Sequence, residues 1–371
     1  MKHLLACLAF ALLWAVSSPL CAQSARMQSR LAQMLKVFPD ADADKDGKLS
    51  MDEALKYLET HPQLKALFES QEEGVEAAKK VSSWAPAALS APDASGLPVG
   101  PRVFVCGHSF MIYTSTLLPP LAKAAGIGYQ DAGRQMISSS RVMQHWKVPD
   151  EQNLAKALLK EGKVDVLTLS PHVLLPDDGI DRFTLLGLER NPKLKVLVQA
   201  SWPARDDDAS VDFTNEKRNE TTLEHLRKMR ADFRAAWLDT LEKQVRELNA
   251  KTGREAVFIV PASEAVFALR ERIVNGTAPG LSRQAELFRD ALGHPGPALA
   301  ALVTYCHFAC IFGRSPAGLP VPAELGSLPQ AEELNRFLQQ LAWDAVTQYP
   351  MSGVKAEVKE ASAGPVKGIK P

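Results

Sequence analysis

From Arg102 onward, short apolar runs alternate with longer amphipathic ones, and this alternation restricts the chain to very few architectures. The candidate strands lie at 103–106, 128–131, 164–169, 194–199 and 256–260. Helical spacing of apolar residues falls between them, near 117–125, 153–161, 181–189 and 223–250. Strands that are apolar on both faces must be covered on both, and parallel strands need long crossovers, which helices supply. The pattern therefore predicts an α/β fold, a five-stranded parallel sheet in a three-layer αβα, flavodoxin-like arrangement. Helical runs at 298–312 and 330–346 close this unit, which spans residues 102–348. A hydrophobic content of 46% over 371 residues suffices for one sizeable core and an appendage.

The flanking sequence has a different character. Met1-Lys2-His3, an apolar run over 4–16 and the small-residue site Leu20-Cys21-Ala22 read as a secretory signal peptide, residues 1–22. The apolar run is shorter than a membrane crossing needs, and no later stretch reaches that length. The expectation is a secreted or periplasmic protein with no membrane span. Residues 23–83 read as helices around an acidic loop, and 84–101, rich in Pro, Ala, Ser and Gly, as a linker. Residues 349–371, rich in Lys, Ala, Gly and Pro, read as a disordered tail. Lys+Arg and Asp+Glu balance at 43 each, which argues against a nucleic-acid partner. After cleavage Cys106, Cys306 and Cys310 remain, too few for a disulfide framework. Cys306 and Cys310 have a spacing that suits metal ligands. With no further Cys or His cluster beside them, buried thiols are the expectation.

The acidic loop is Asp42-Ala43-Asp44-Lys45-Asp46-Gly47-Lys48-Leu49-Ser50-Met51-Asp52-Glu53. Asp42, Asp44 and Asp46 stand at positions one, three and five of an EF-hand calcium loop, with Gly47 at the sharp turn. Lys48 would offer its carbonyl, Ser50 a hydroxyl or a water, and Glu53 a bidentate carboxylate. The expected cofactor is calcium, as a permanent ion, since no second loop pairs with this one.

The first strand ends in Gly107-His108-Ser109-Phe110. A serine there stands at the carboxyl edge of the sheet, where α/β proteins bind ligands, on a turn whose free N–H groups can hold an oxyanion. Far along the chain, Asp290 and His294 share one short loop before the helical run at 298–312. A serine nucleophile needs a base, and the base needs an orienting carboxylate.

These segments resemble, in order, the sequence blocks of SGNH (GDSL-like) hydrolases. Gly107-His108-Ser109-Phe110 resembles the first block, usually Gly-Asp-Ser or Gly-Asn-Ser. Asp131-Ala132-Gly133 resembles the second, and Asp290 with His294 the last. The resemblance spans about residues 101–316 and implies Ser109 as nucleophile, His294 as base and Asp290 as its partner. It implies backbone N–H groups of Ser109 and Gly133 in the oxyanion hole, and catalysis without a cofactor. Three departures stand out: His108 for Asp or Asn, His294 four positions rather than three after Asp290, and no Asn after the third strand. Ser170 or His172 is the candidate donor in that Asn's place. The substrate class implied is a small-molecule or carbohydrate ester, and Gln144-His145-Trp146 and Gln199-Ala200-Ser201-Trp202 are candidate sugar platforms. The alternative is a non-catalytic module of the same fold that binds a glycan or protein and carries a structural calcium. His307, in an apolar helical run, reads as a satisfied core histidine. The run 205–208 reads as solvated surface.

Overall fold

A computed structural model of the protein describes residues 31–32, 35, 38–60, 81–85, 97, 99–206 and 213–355. Among these, six strands form one sheet in the order β1-β3-β2-β4-β5-β6: β1 Ser82–Trp84, β2 Val99–Gly107, β3 Gly128–Met136, β4 Val166–Leu169, β5 Lys195–Gln199 and β6 Val257–Val260. All neighbours are parallel except β1, which runs antiparallel to β3 with Ser82 opposite Met136. The chain leaves β2, pairs with it on one side through β3, then crosses to the other side as β4. That reversal opens a crevice at the carboxyl end of β2, the place where such sheets bind ligands.

Helices cover both faces. On one lie α2 Thr114–Ala124, α8 Ala262–Val274, α9 Pro297–Phe312 and α10 Ala331–Gln348, packed on Val103, Val166, Leu197 and Val260. On the other lie α3 Val142–Lys147, α4 Leu154–Lys160, α5 Asp178–Arg190 and α7 Asp239–Thr252, packed on Phe104, Leu167, Val198 and Ile259. Successive strand residues point to opposite cores, as the pleat requires. The expected helix over 223–250 is α6 Leu223–Phe233 followed by α7, joined by a π turn at Arg234–Leu238.

Several expectations need correction. The sheet has six strands rather than five, because 82–84, assigned to the helical region and linker, form an antiparallel edge. The linker's other end, 99–101, belongs to β2. The tail begins later than 349: Ile259 N–H donates to Met351 carbonyl oxygen, and Tyr349 and Val354 are buried. The signal peptide, the helical stretch over 63–80, most of the helix before the acidic loop and residues 356–371 lie outside the described residues. Among the described residues, no helix is long and apolar enough to cross a membrane.

Gly133 shows why β1 can lie where it does. Its φ is +112°, and a Cβ there would stand 2.4 Å from Trp84 carbonyl oxygen. Gly126 also has positive φ, +71°, but open space around it. Gly133→Ala therefore adds displacement of β1 to a backbone cost of about 1–3 kcal/mol. Thermal unfolding followed by circular dichroism should show a larger Tm loss for Gly133→Ala than for Gly126→Ala.

Candidate active site

The turn after β2 presents Ser109. Met111 and Ile112 N–H groups both donate to His108 carbonyl oxygen, so the chain bends into a helical turn as the strand ends. Buried His108 accepts Phe110 N–H at Nδ1 (3.3 Å), the same local bond that an Asp or Asn side chain makes two residues ahead of itself. Its proton then sits on Nε2, 3.0 Å from Ser170 Oγ. The imidazole thus makes the local bond open to an Asp or Asn side chain and also ties the β2 turn to the end of β4.

Asp290 and His294 close a tight loop. Gly293 N–H donates to Asp290 carbonyl oxygen (3.1 Å), Arg289 N–H to that of His294 (2.8 Å), and Phe288 bridges Pro295. Gly293 has φ +82°, a conformation that favours glycine, and closes this turn. The four-residue spacing lets Asp290 serve twice. Its Oδ1 accepts His294 N–H at 3.2 Å, and its Oδ2 accepts the ring Nδ1–H at 2.6 Å. Burial raises the Asp290 pKa, but these bonds from His294 outweigh it and leave the carboxyl below its ordinary value. On the other side of the ring, Nε2 lies 2.8 Å from Ser109 Oγ. The structure brings Ser109, His294 and Asp290 into one hydrogen-bonded series.

The expected oxyanion donors fare differently. Gly133 stands within β3, opposite Phe104, and its N–H donates to Asp131 Oδ1 at 2.8 Å. It is therefore neither at the edge nor free. Ser170 is fully buried and held by His108. His172 stays close to the serine turn, its ring edge-on to His108 at 5.6 Å. Trp237, on the π turn, donates Nε1–H to His172 carbonyl oxygen (3.1 Å) and fixes that loop. The sequence reading did not single out the exposed Ser138–Ser139 turn, which follows β3 two residues after Met136, the register partner of Gly107. The N–H groups of Ser109, Ser138 and Ser139 have no hydrogen-bond partner among the described residues. Three serines in a row after a strand were the available signal.

Neither expected sugar platform is exposed. Trp202 is buried and stacks on Phe110. His145 is fully buried, bonded to Ser140 and Gln135, and Trp146 packs on Phe183. The run 205–208 is not simply surface: Asp206 is buried and pairs with Arg218 (2.7 Å) and with both terminal nitrogens of Arg270. Arg218 also donates to Ala291 carbonyl oxygen (2.9 Å), so this ion cluster supports the loop that carries Asp290 and His294.

In the acidic loop, a ligand oxygen from each of Asp42, Asp44 and Asp46 lies within 4.8 Å of the others. Gly47, at φ +80°, donates its N–H to Asp42 Oδ2 (2.9 Å), while Asp42 Oδ1 is buried with no hydrogen-bond partner. Glu53 accepts the Ser50 hydroxyl (2.6 Å) and the N–H groups of Ser50, Asp44 and Ala43, which hold its pKa down to about 2. Leu49 turns inward onto Ala41 and onto Ala54 of α1, Met51–Thr60.

No protein-family model and no curated protein sequence matches the chain. Among solved structures, a DUF4886 family protein from Bacteroides uniformis is similar at 16% identity and a TM-score of 0.44, over 70% of this chain and 98% of that one. A likeness at that level carries no argument about function.

Four histidines around the site are held neutral. Burial pushes His108, His145 and His307 down to about 3, and burial with Arg141 nearby pushes His172 to about 4, all from an ordinary 6.5. In the unfolded chain each takes a proton below about 6.5, while the folded chain refuses it. Stability should therefore be full above pH 6.5 and fall towards pH 4, by roughly 1 kcal/mol per pH unit for each. Urea midpoints measured across that range test this, and a flat profile contradicts it.

Proposed function

We propose that the protein is a secreted or periplasmic serine hydrolase of SGNH type, an esterase or deacetylase for small acyl esters. One observation carries the reading: the unbroken series from Ser109 Oγ to His294 Nε2 at 2.8 Å and from His294 Nδ1 to Asp290 Oδ2 at 2.6 Å. In this reading Ser109 attacks the ester carbonyl and His294 takes its proton. Asp290 holds the imidazole in the tautomer with Nδ1–H and stabilises the imidazolium. The tetrahedral oxyanion is met by Ser109 N–H and by the N–H groups of the Ser138–Ser139 turn, with a ring nitrogen of neutral His172 as a third donor. His294 then returns the proton to the leaving alcohol, and water repeats the sequence on the acyl-enzyme. Leu292 and Val173, both exposed, put apolar surface on two of the surrounding loops, which favours an ester with an apolar portion.

A serine-directed fluorophosphonate should label Ser109, and p-nitrophenyl acetate should be hydrolysed. Ser109→Ala and His294→Ala should each lose nearly all activity, by about 10⁴-fold or more, and the double variant little beyond that. If neither labelling nor turnover on a broad ester panel is seen, the site has a binding role on the same fold.

We further propose that the 42–53 loop binds calcium. The support is Asp42 Oδ1, a buried oxygen without a partner between Asp44 and Asp46, in a loop whose glycine turn is already formed. Asp42, Asp44, Asp46, the Lys48 carbonyl, Ser50 and Glu53 would hold the ion, which supplies loop rigidity and takes no part in ester hydrolysis. Titration calorimetry should give a dissociation constant on the order of 10⁻⁴–10⁻³ M, lost in Glu53→Gln, with esterase activity retained in chelator. Unchanged affinity in Glu53→Gln removes the site.

A further inference from the structure

Ser109 and His294 are 185 residues apart in sequence, and nothing in either local turn sets the distance between them. The segment at the end of β5 touches both. Gln199, fully buried, donates its amide N–H to Phe110 carbonyl oxygen (3.0 Å), the residue after the serine. Three residues on, Trp202 donates Nε1–H to Gly293 carbonyl oxygen (3.0 Å), the residue before the histidine. The Trp202 indole stacks on the Phe110 ring at 4.9 Å and 13°, and Phe110 meets the His294 ring edge-on at 5.3 Å. Both turns are therefore referenced to one stretch of rigid strand and its first loop residues.

An amide can do this only in one of its two orientations. Gln199 Oε1 lies 2.8 Å from His307 Nε2, on α9. His307 is fully buried and neutral, so a single ring N–H is available, and Nε2–H to Oε1 is the arrangement that satisfies both groups. Flipped, the amide would set Oε1 against Phe110 carbonyl oxygen and its NH₂ against the imidazole N–H. The His307 Nδ1 lone pair is buried without a partner, the less costly ring atom to leave unpaired.

The ordinary explanation of such groups is a satisfied polar core. Their targets say more: two of these hydrogen bonds end on the main-chain carbonyls adjoining the nucleophile and the base. We propose, resting on the hydrolase reading above, that Gln199 and Trp202 are positioning residues that set the Ser109–His294 distance, with His307 fixing the Gln199 amide. A misplacement of about 1 Å in such a pair costs on the order of 100-fold in rate.

The test compares Trp202→Phe, which keeps the stacked ring without the N–H, Gln199→Met, which keeps the volume and cannot donate to Phe110, and His307→Leu against His307→Gln, which restores a donor. Fluorophosphonate labelling rates of Ser109, kcat and KM for p-nitrophenyl acetate, and Tm are measured on the full chain. The first three should lower labelling rate and kcat by about 10- to 100-fold with KM changed by less than about twofold. His307→Gln should recover to within about threefold of the parent. Folded variants that label at the parent rate overturn the proposal, as does a loss seen only in KM or a His307→Gln as slow as His307→Leu. If Gln199→Met fails to fold, Trp202→Phe and the His307 pair decide. A parent protein that neither labels nor turns over removes the hydrolase reading and this one together; a parent that labels beside unaffected variants removes this one alone.

Discussion

The reversal of strand order at β2 is the constraint from which the site follows. With β3 on one side and β4 on the other, the segments leaving those strands diverge, and the turn after β2 is left at the floor of a crevice. A side chain at Ser109 can be approached there, while the residue before it, His108, is closed off by the end of β4. Everything else in the site brings distant chain to that point. The loop with Asp290 and His294 belongs to the connection between α8 and α9. It reaches the crevice over a bed formed by residues 199–206 rather than by sheet pairing. Gly293 lies so close to that bed that a Cβ would come within 2.7 Å of Ala204 carbonyl oxygen.

The bed is polar, and that has an energetic meaning. Two arginines share one buried aspartate, so Arg218 and Arg270 cannot both be neutralised by Asp206 alone. Further acceptors take up the remaining N–H groups: Asn215, Ala204 and Ala291 for Arg218, and Gln284 for Arg270. The Phe288 ring faces the Arg218 guanidinium at 4.2 Å, which favours its charge further. A buried ion cluster is a poor source of net stability but gives a direction to each group it holds, because any other arrangement leaves a charge unpaired. Here the directed group is the carbonyl of Ala291, next to Asp290.

How much of this was legible follows from where the signal resides. Four of the parallel strands, β2, β4, β5 and β6, were visible because each holds a short Val-, Ile- or Leu-rich run, whereas β3 has none of these residues and stood out only by its place between helical stretches; Ser109, Asp290 and His294 were visible because each lies in a short loop beside a regular element. β1 was not visible: Ser82–Trp84 are exposed, and what makes them a strand is the free edge of β3 and the missing side chain at Gly133. α8 was not visible because residues buried along it fall on nearly every side, including Ser263 and Arg270, which erases the amphipathic period. Asp206 looked like surface because it stands in an acidic run, and the two arginines that bury it come from 12 and 64 residues away. Gly133 fitted a sequence block, yet its glycine character is used to admit Trp84 carbonyl oxygen, and its N–H is spent on Asp131.

His108 shows how an imidazole can make a local turn bond and still reach beyond the turn. Asp, Asn and His all place an acceptor two bonds beyond Cβ, so each can take the N–H of the second residue on and hold the serine turn. A carboxylate or amide ends there. The imidazole continues, and its far nitrogen reaches Ser170 Oγ at 3.0 Å and Pro171 carbonyl oxygen at 3.5 Å, both at the end of β4. The turn after β2 and the loop after β4 are thereby fastened to each other through one ring. That ring must be neutral, since a proton on Nδ1 would remove the acceptor for Phe110 N–H, and burial beside His172 ensures it. Beyond Ser170 the chain brings His172 back against the same ring, edge-on to His108 at 5.6 Å. Burial, with Arg141 nearby, keeps the His172 ring neutral as well. One ring at position 108 thus holds the turn that carries Ser109 and engages Ser170 at the end of β4.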